Sequence, residues 1–115
     1  MTCPFCTMKT DESARPADFR WYRRHIVFTP LRPVTEGHRL VVPSLHAPQF
    51  SVAEKTCAAA MEVAARLVGT LGYMDANLIV SQGPAATQTV PHMHVHLIPR
   101  TPGDGLTLPW TGQRQ

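Results

Sequence analysis

An antiparallel α+β domain is the fold this 115-residue chain predicts. Three observations carry it. One capped amphipathic helix is expected near the middle, short β-branched runs flank it on both sides, and no strand–helix–strand unit repeats.

The elements follow in order. Residues 7–18 are polar and aperiodic and read as a loop. Phe19 to Phe28 mixes aromatic and β-branched residues with Arg20, Arg23 and Arg24, and reads as one partly solvated strand. Thr29 to Gly37 holds two prolines and ends in glycine, which makes a loop. His38 to Val42 is a short apolar strand that Pro43 terminates. The helix is expected over about 52–71, with Ser51 and Glu54 forming a capping box. Cys57, Met61, Ala64, Leu67, Val68 and Leu71 make its apolar stripe, and Gly72 is free to adopt the positive φ of a helix end. Ala76–Ser81 and Met93–Pro99 read as two further strands, joined through a Gly83-Pro84 turn and a loop. Beyond Arg100 the chain is irregular, with Leu106, Leu108 and Trp110 as apolar side chains to offer a neighbour.

Composition narrows the function classes. The chain is 43% hydrophobic and 17% charged, which suits a single domain over 1–115 and excludes a disordered charged tail. Its apolar stretches, such as Cys57–Met61 and Leu78–Val80, fall far short of the ~18–20 residues of a membrane span. A net charge of +3 tolerates a phosphate-bearing ligand without pointing to nucleic acid. The three cysteines are Cys3 and Cys6, spaced C-x-x-C, and Cys57 among alanines, which reads as a small core hydrophobe. An odd count without an export signal is the pattern of reduced thiols in a cytoplasm.

The chemistry concentrates in His92-Met93-His94-Val95-His96. In a strand the side-chain period is two, so the three imidazoles leave one face at ~6.5–7 Å intervals while Met93, Val95 and Leu97 point the other way. One histidine on an apolar strand is ordinary core. Three in alternation each need polar partners, so they make a polar floor for catalysis or a metal. A cupin-type metal centre would want a nearby carboxylate, and Leu97-Ile98-Pro99-Arg100 supplies none. A zinc hydrolase needs three protein ligands and an open position. A nucleophilic histidine needs a neutral ring nitrogen, a proton donor for the leaving atom, and donors for phosphate oxygens. Gln88, Thr89 and the Gly83-Pro84 turn suit this third chemistry best.

These residues also carry a resemblance. His92-x-His94-x-His96 with Leu97-Ile98-Pro99-Arg100, preceded by Gln88-Thr89-Val90, resembles the histidine-triad (HIT) superfamily of nucleotide hydrolases and transferases. Gly37-His38-Arg39-Leu40-Val41-Val42-Pro43 followed by His46 is similar to that family's upstream block, and Cys3-Pro4-Phe5-Cys6 to the N-terminus of its zinc-bearing members. The resemblance implies a five-stranded antiparallel sheet with one long helix, paired into a homodimer. It implies structural zinc on Cys3, Cys6, His46 and His92, with residues 1–18 as the zinc-bearing segment and 101–115 as a tail. His94 would attack the α-phosphorus of a nucleotide conjugate to give a nucleotidyl-histidine. His96 would bind phosphate and handle the leaving-group proton, Gln88 and Thr89 would contact phosphate oxygens, and Asn77 would touch the ribose or support the site. His38 is expected only to pack. Pro30, Ser81 and Thr87 stand where the family usually has Asp or Asn, Asn, and Gly, all on the nucleoside side. A second reading keeps the fold but makes it a nucleotide- or nucleic-acid-binding module with little turnover.

Overall fold

Five strands form one antiparallel sheet in the order β1-β2-β3-β5-β4. They are β1 (Arg20–Tyr22), β2 (His25–Phe28), β3 (Arg39–Pro43), β4 (Ala76–Val80) and β5 (Val95–Pro99). The computed structural model describes residues 3–111. The outer ends of the expected N-terminal segment and tail, residues 1–2 and 112–115, lie outside the described residues.

Where one strand was expected over 19–28 there is a hairpin. Tyr22 pairs with His25, so Arg23 and Arg24 form a two-residue turn, with φ of +47° and +63°. Such turns favour Asn-Gly, because both central residues need the left-handed region. Two arginines carry no such signal, and the break escapes a reading by residue type.

Helix α1 (Pro4–Thr10) occupies part of the expected loop 7–18. Pro4 sits in its first turn, where a missing N–H costs nothing, and the Cys3 sulfur caps it by accepting the Cys6 N–H at 3.4 Å. The long helix α2 (Glu54–Leu71) ends as expected at Gly72, whose φ of +75° lets its N–H reach Gly69 O. Its start differs from the expected capping box. Phe50–Val52 wind into a 3₁₀ turn, Ala53 becomes the N-cap, and the Ser51 N–H is taken by the Gln82 side chain at 2.9 Å. The buried face is also rotated relative to the expected stripe. Ala60, Val63, Ala64 and Leu67 are buried, Cys57, Met61 and Val68 flank them, and Leu71 is exposed.

That helix covers one face of the sheet, packing on Val27, Val41, Met93, Val95 and Leu97. On the other face Ile26, Phe28, Leu40 and Val42 pack with Phe5 of α1. The histidines emerge on this second face. No helix among the described residues is long and apolar enough to cross a membrane.

Candidate active site and metal centre

Strand β5 lies between β3 and β4, pairing His96 with Leu40 on one side and Ile79 on the other. The strand begins at Val95, two residues later than expected, yet the alternation holds through the approach. Met93, Val95 and Leu97 face the helix, while His92, His94 and His96 face away.

His92 is buried, and its Nε2–H donates to the Pro43 carbonyl at 2.8 Å. That bond fixes the tautomer and leaves Nδ1 with a free lone pair. Burial pushes its pKa down to about 4, so the ring stays neutral. The free Nδ1 lies 3.0 Å from His46 Nδ1, 3.4 Å from Cys3 Sγ and 3.5 Å from Cys6 Sγ, and Cys6 Sγ is 3.3 Å from His46 Nδ1. All four ligand atoms lie within 4.8 Å of one another. A tetrahedral metal with bonds of about 2.0–2.1 Å to nitrogen and 2.3 Å to sulfur needs ligand–ligand edges of roughly 3.3–3.8 Å. The donor set therefore fits such an ion with a few tenths of an ångström of expansion. The Cys6 N–H on Cys3 Sγ and the Pro43 carbonyl on His92 supply the outer hydrogen bonds that metal ligands use. All three cysteines are free thiols.

His94 and His96 are held in opposite tautomers. His94 Nδ1–H donates to the His92 carbonyl at 2.9 Å, which leaves Nε2 as the basic nitrogen. Burial lowers its pKa below the ordinary imidazole value, and the Phe5 ring packs edge-on against it at 5.2 Å. His96 Nδ1 faces His38 Nε2 at 3.0 Å. The Val34 N–H occupies His38 Nδ1 at 3.1 Å, so neutral His38 carries its proton on Nε2 and gives that bond to His96. His96 is thereby left with its proton on Nε2, as a donor. Burial, then the neighbouring His94 and His38, push the His96 pKa down to about 4. One backbone N–H thus sets, through His38, which end of His96 donates. His38 was expected only to pack. The signal lay in the strand period, since His38 shares a face with Leu40, and Leu40 pairs with His96.

Beside His96 opens a cavity of about 620 Å³. Pro30, Ser81 and Thr87, three departures from the family pattern, all line it, and no carboxylate or carboxamide does. Leu106 and Leu108, the side chains expected to face a neighbour, line this cavity within their own chain. The tail is strapped down by Arg100, whose guanidinium binds Asp104, the Leu106 carbonyl and Asn77 Oδ1. Asn77 therefore stands in a tail-anchoring network and lies outside this cavity's lining. The Gln88 side chain is committed to backbone as well. Its oxygen accepts the Gly83 N–H at 2.8 Å, and its NH₂ donates to Pro48 O and Val90 O. Thr89 is exposed and lines both this cavity and a smaller one of about 330 Å³ beside Cys3 and His46.

Comparison with known proteins agrees with this geometry. The HIT domain family model matches residues 23–103. The chain is 33% identical over 88 residues to adenosine 5'-monophosphoramidase of Saccharomyces cerevisiae, covering 75% of this chain and 56% of that protein. It is 32% identical over 108 residues to an uncharacterized HIT-like protein of Methanocaldococcus jannaschii, covering 90% of this chain and 82% of the other. Two other curated relatives are longer, and the chain spans 22% and 40% of their lengths. Among solved structures, a zinc-bound histidine triad family protein from Mycobacterium smegmatis superposes with a TM-score of 0.79 at 30% identity, covering 94% of this chain and 81% of the other. With this fold, this alternation of histidines and this family match, the chain belongs to the histidine-triad family.

Proposed function

We propose that this protein is a nucleotide hydrolase or transferase that cleaves a phosphoramidate or phosphoric anhydride through a nucleotidyl-histidine on His94. The observation that carries the reading is the pair of opposed tautomers. His94 presents a lone pair and His96, on the same face, presents an N–H. In the first step His94 Nε2 attacks the α-phosphorus as the bond to the leaving group breaks. The departing atom leaves with the electron pair and takes a proton from solvent, while the His96 Nε2–H hydrogen-bonds it or a phosphate oxygen. Water or a second acceptor then displaces His94 from phosphorus. Thr89 can donate its hydroxyl to phosphate, while Gln88 shapes the loop that carries Thr89 and Asn77 supports the site through Arg100. The yeast relative's name, a monophosphoramidase, supports an adenylyl group joined to nitrogen as the first substrate to try.

Cys3, Cys6, His46 and His92 would hold structural zinc, for which the zinc-bound mycobacterial structure is further support. With all four positions filled by protein, zinc there supplies folding energy and leaves no position for substrate. Free thiols at such a site suit a cytoplasmic protein. We also place the chain in a homodimer, because β4 is an edge strand with one side unpaired in the single chain. Light scattering at micromolar concentration should give twice the chain mass, and a monomer would refute the pairing.

The screen that tests the function uses adenosine 5'-phosphoramidate and its 2'-deoxy counterpart. A vicinal diol is best held by a carboxylate or amide, and the cavity beside His96 is lined by neither. Both compounds should release their monophosphate with kcat/KM values within about tenfold of one another. A protein that binds the monophosphate yet turns over neither compound, nor a dinucleoside polyphosphate, would be the binding module instead.

A further inference from the structure

A second cavity, of about 780 Å³, lies away from His94 and His96, between the β1–β2 turn and the start of α2. Lys9, Arg24 and Lys55 line it, with Trp21 and Leu45 as apolar wall, and no aspartate or glutamate contributes. Trp21 and Leu45 are large hydrophobic side chains that stay 46% and 68% exposed. Lys55 and Thr56 stand in the first turn of α2, whose N-cap is Ala53 and whose leading N–H groups receive no side-chain cap. An 18-residue helix presents partial positive charge at that end.

An independent observation concerns His25, which also lines this cavity. It is 7% exposed, and its Nδ1–H donates to the Arg23 carbonyl at 2.8 Å. Its Nε2 is buried and has no hydrogen-bond partner, the sole such side-chain atom among the described residues. Buried polar atoms are ordinarily paired. Arg24, meanwhile, is held in the left-handed region at φ +63°, a conformation that a long side chain seldom adopts.

We propose that this cavity is a second, non-catalytic site for a phosphate monoester with an aromatic or apolar body, of which a nucleoside monophosphate is the simplest case. The phosphate sits among Lys9, Arg24, Lys55 and the first turn of α2. A hydroxyl of the ligand, or the P–OH that a monoester retains near its second pKa of about 6, donates to His25 Nε2. The body of the ligand lies against Trp21 and Leu45. The lining shares His46 with the candidate metal centre but contains neither His94 nor His96, so it stands or falls independently of the proposed reaction.

Amide and indole chemical shifts of the metal-loaded protein, titrated with AMP, test it. Two groups of signals should move with separate binding curves, one around His94 and His96, the other comprising the Trp21 indole, Lys55 and Thr56. Inorganic phosphate should move the Lys55 and Thr56 signals more weakly, and adenosine without phosphate should fail to. The double variant Arg24→Glu with Lys55→Glu should weaken the second curve at least tenfold and leave the first unchanged. His25→Leu should weaken the second curve as well. Shifts confined to the His94 and His96 group would overturn the proposal, as would adenosine binding as tightly as AMP. Undiminished AMP affinity in His25→Leu would mean that water satisfies Nε2, and would overturn it too.

Discussion

Replacing His94 by glycine should reduce turnover by on the order of 10⁴–10⁶-fold, the loss typical of removing a covalent nucleophile. The substitution removes the one imidazole of the triad whose Nε2 is freed by a bond from Nδ1 to a backbone carbonyl. It leaves the four candidate metal ligands in place, so zinc content and nucleotide affinity should persist and separate lost chemistry from lost fold. With a slow substrate quenched in alkali, the wild-type protein should gain the mass of one nucleoside monophosphate on the peptide holding His94. The companion variant His96→Ala should behave differently. Because His96 presents an N–H, it should slow substrates with poor leaving groups by ~10²–10⁴-fold and activated ones far less. Near-normal turnover in His94→Gly, or a label on another residue, would rule the mechanism out.

Loss of the metal should have the largest effect on stability. Purified protein is expected to carry about one zinc per chain, and Cys6→Ser should lose it. Closed zinc sites contribute on the order of 10 kcal/mol of apparent binding energy to folding in small domains. Here the site joins α1, the segment after β3 and the approach to β5, through Cys3, Cys6, His46 and His92. Even a few kcal/mol lost from a domain of this size corresponds to a fall in Tm of at least about 10 °C. Calorimetry with and without chelator reads this directly. A metal-free protein that melts at the same temperature would show that the four side chains cluster without a structural ion.

Much of this was legible because period and spacing are local properties. The alternation from His92 to His96 fixes a face, and Gly72 announces a helix end. What escaped reading depends on contacts between segments rather than on residue type. Arg23 and Arg24 turn the chain because β1 and β2 pair around them, against residue preference. Ser51 would have capped α2, but Gln82, 31 residues later, takes its N–H and the chain winds into a 3₁₀ turn instead. Gln88 looks like a ligand-binding amide, yet its oxygen takes the Gly83 N–H and both its N–H donors go to the Pro48 and Val90 carbonyls. The role of His38 needs the pairing of β3 with β5, which no single segment encodes.

The place of β5 in the sheet has a consequence for motion. It is bonded on both sides, whereas β1 and β4 are bonded on one. Local opening costs least where a segment has few neighbours, so β1, whose outer edge stays open when β4 is paired, and the tail beyond its Arg100 strap are the parts able to breathe without global unfolding. His96 lies within the doubly bonded strand, and His94 directly precedes it, tied to the His92 carbonyl. On the proposed mechanism, ligands would enter and leave through fluctuations of the cavity's outer wall while His94 and His96 keep their spacing, so that traffic and chemistry would run on separate clocks.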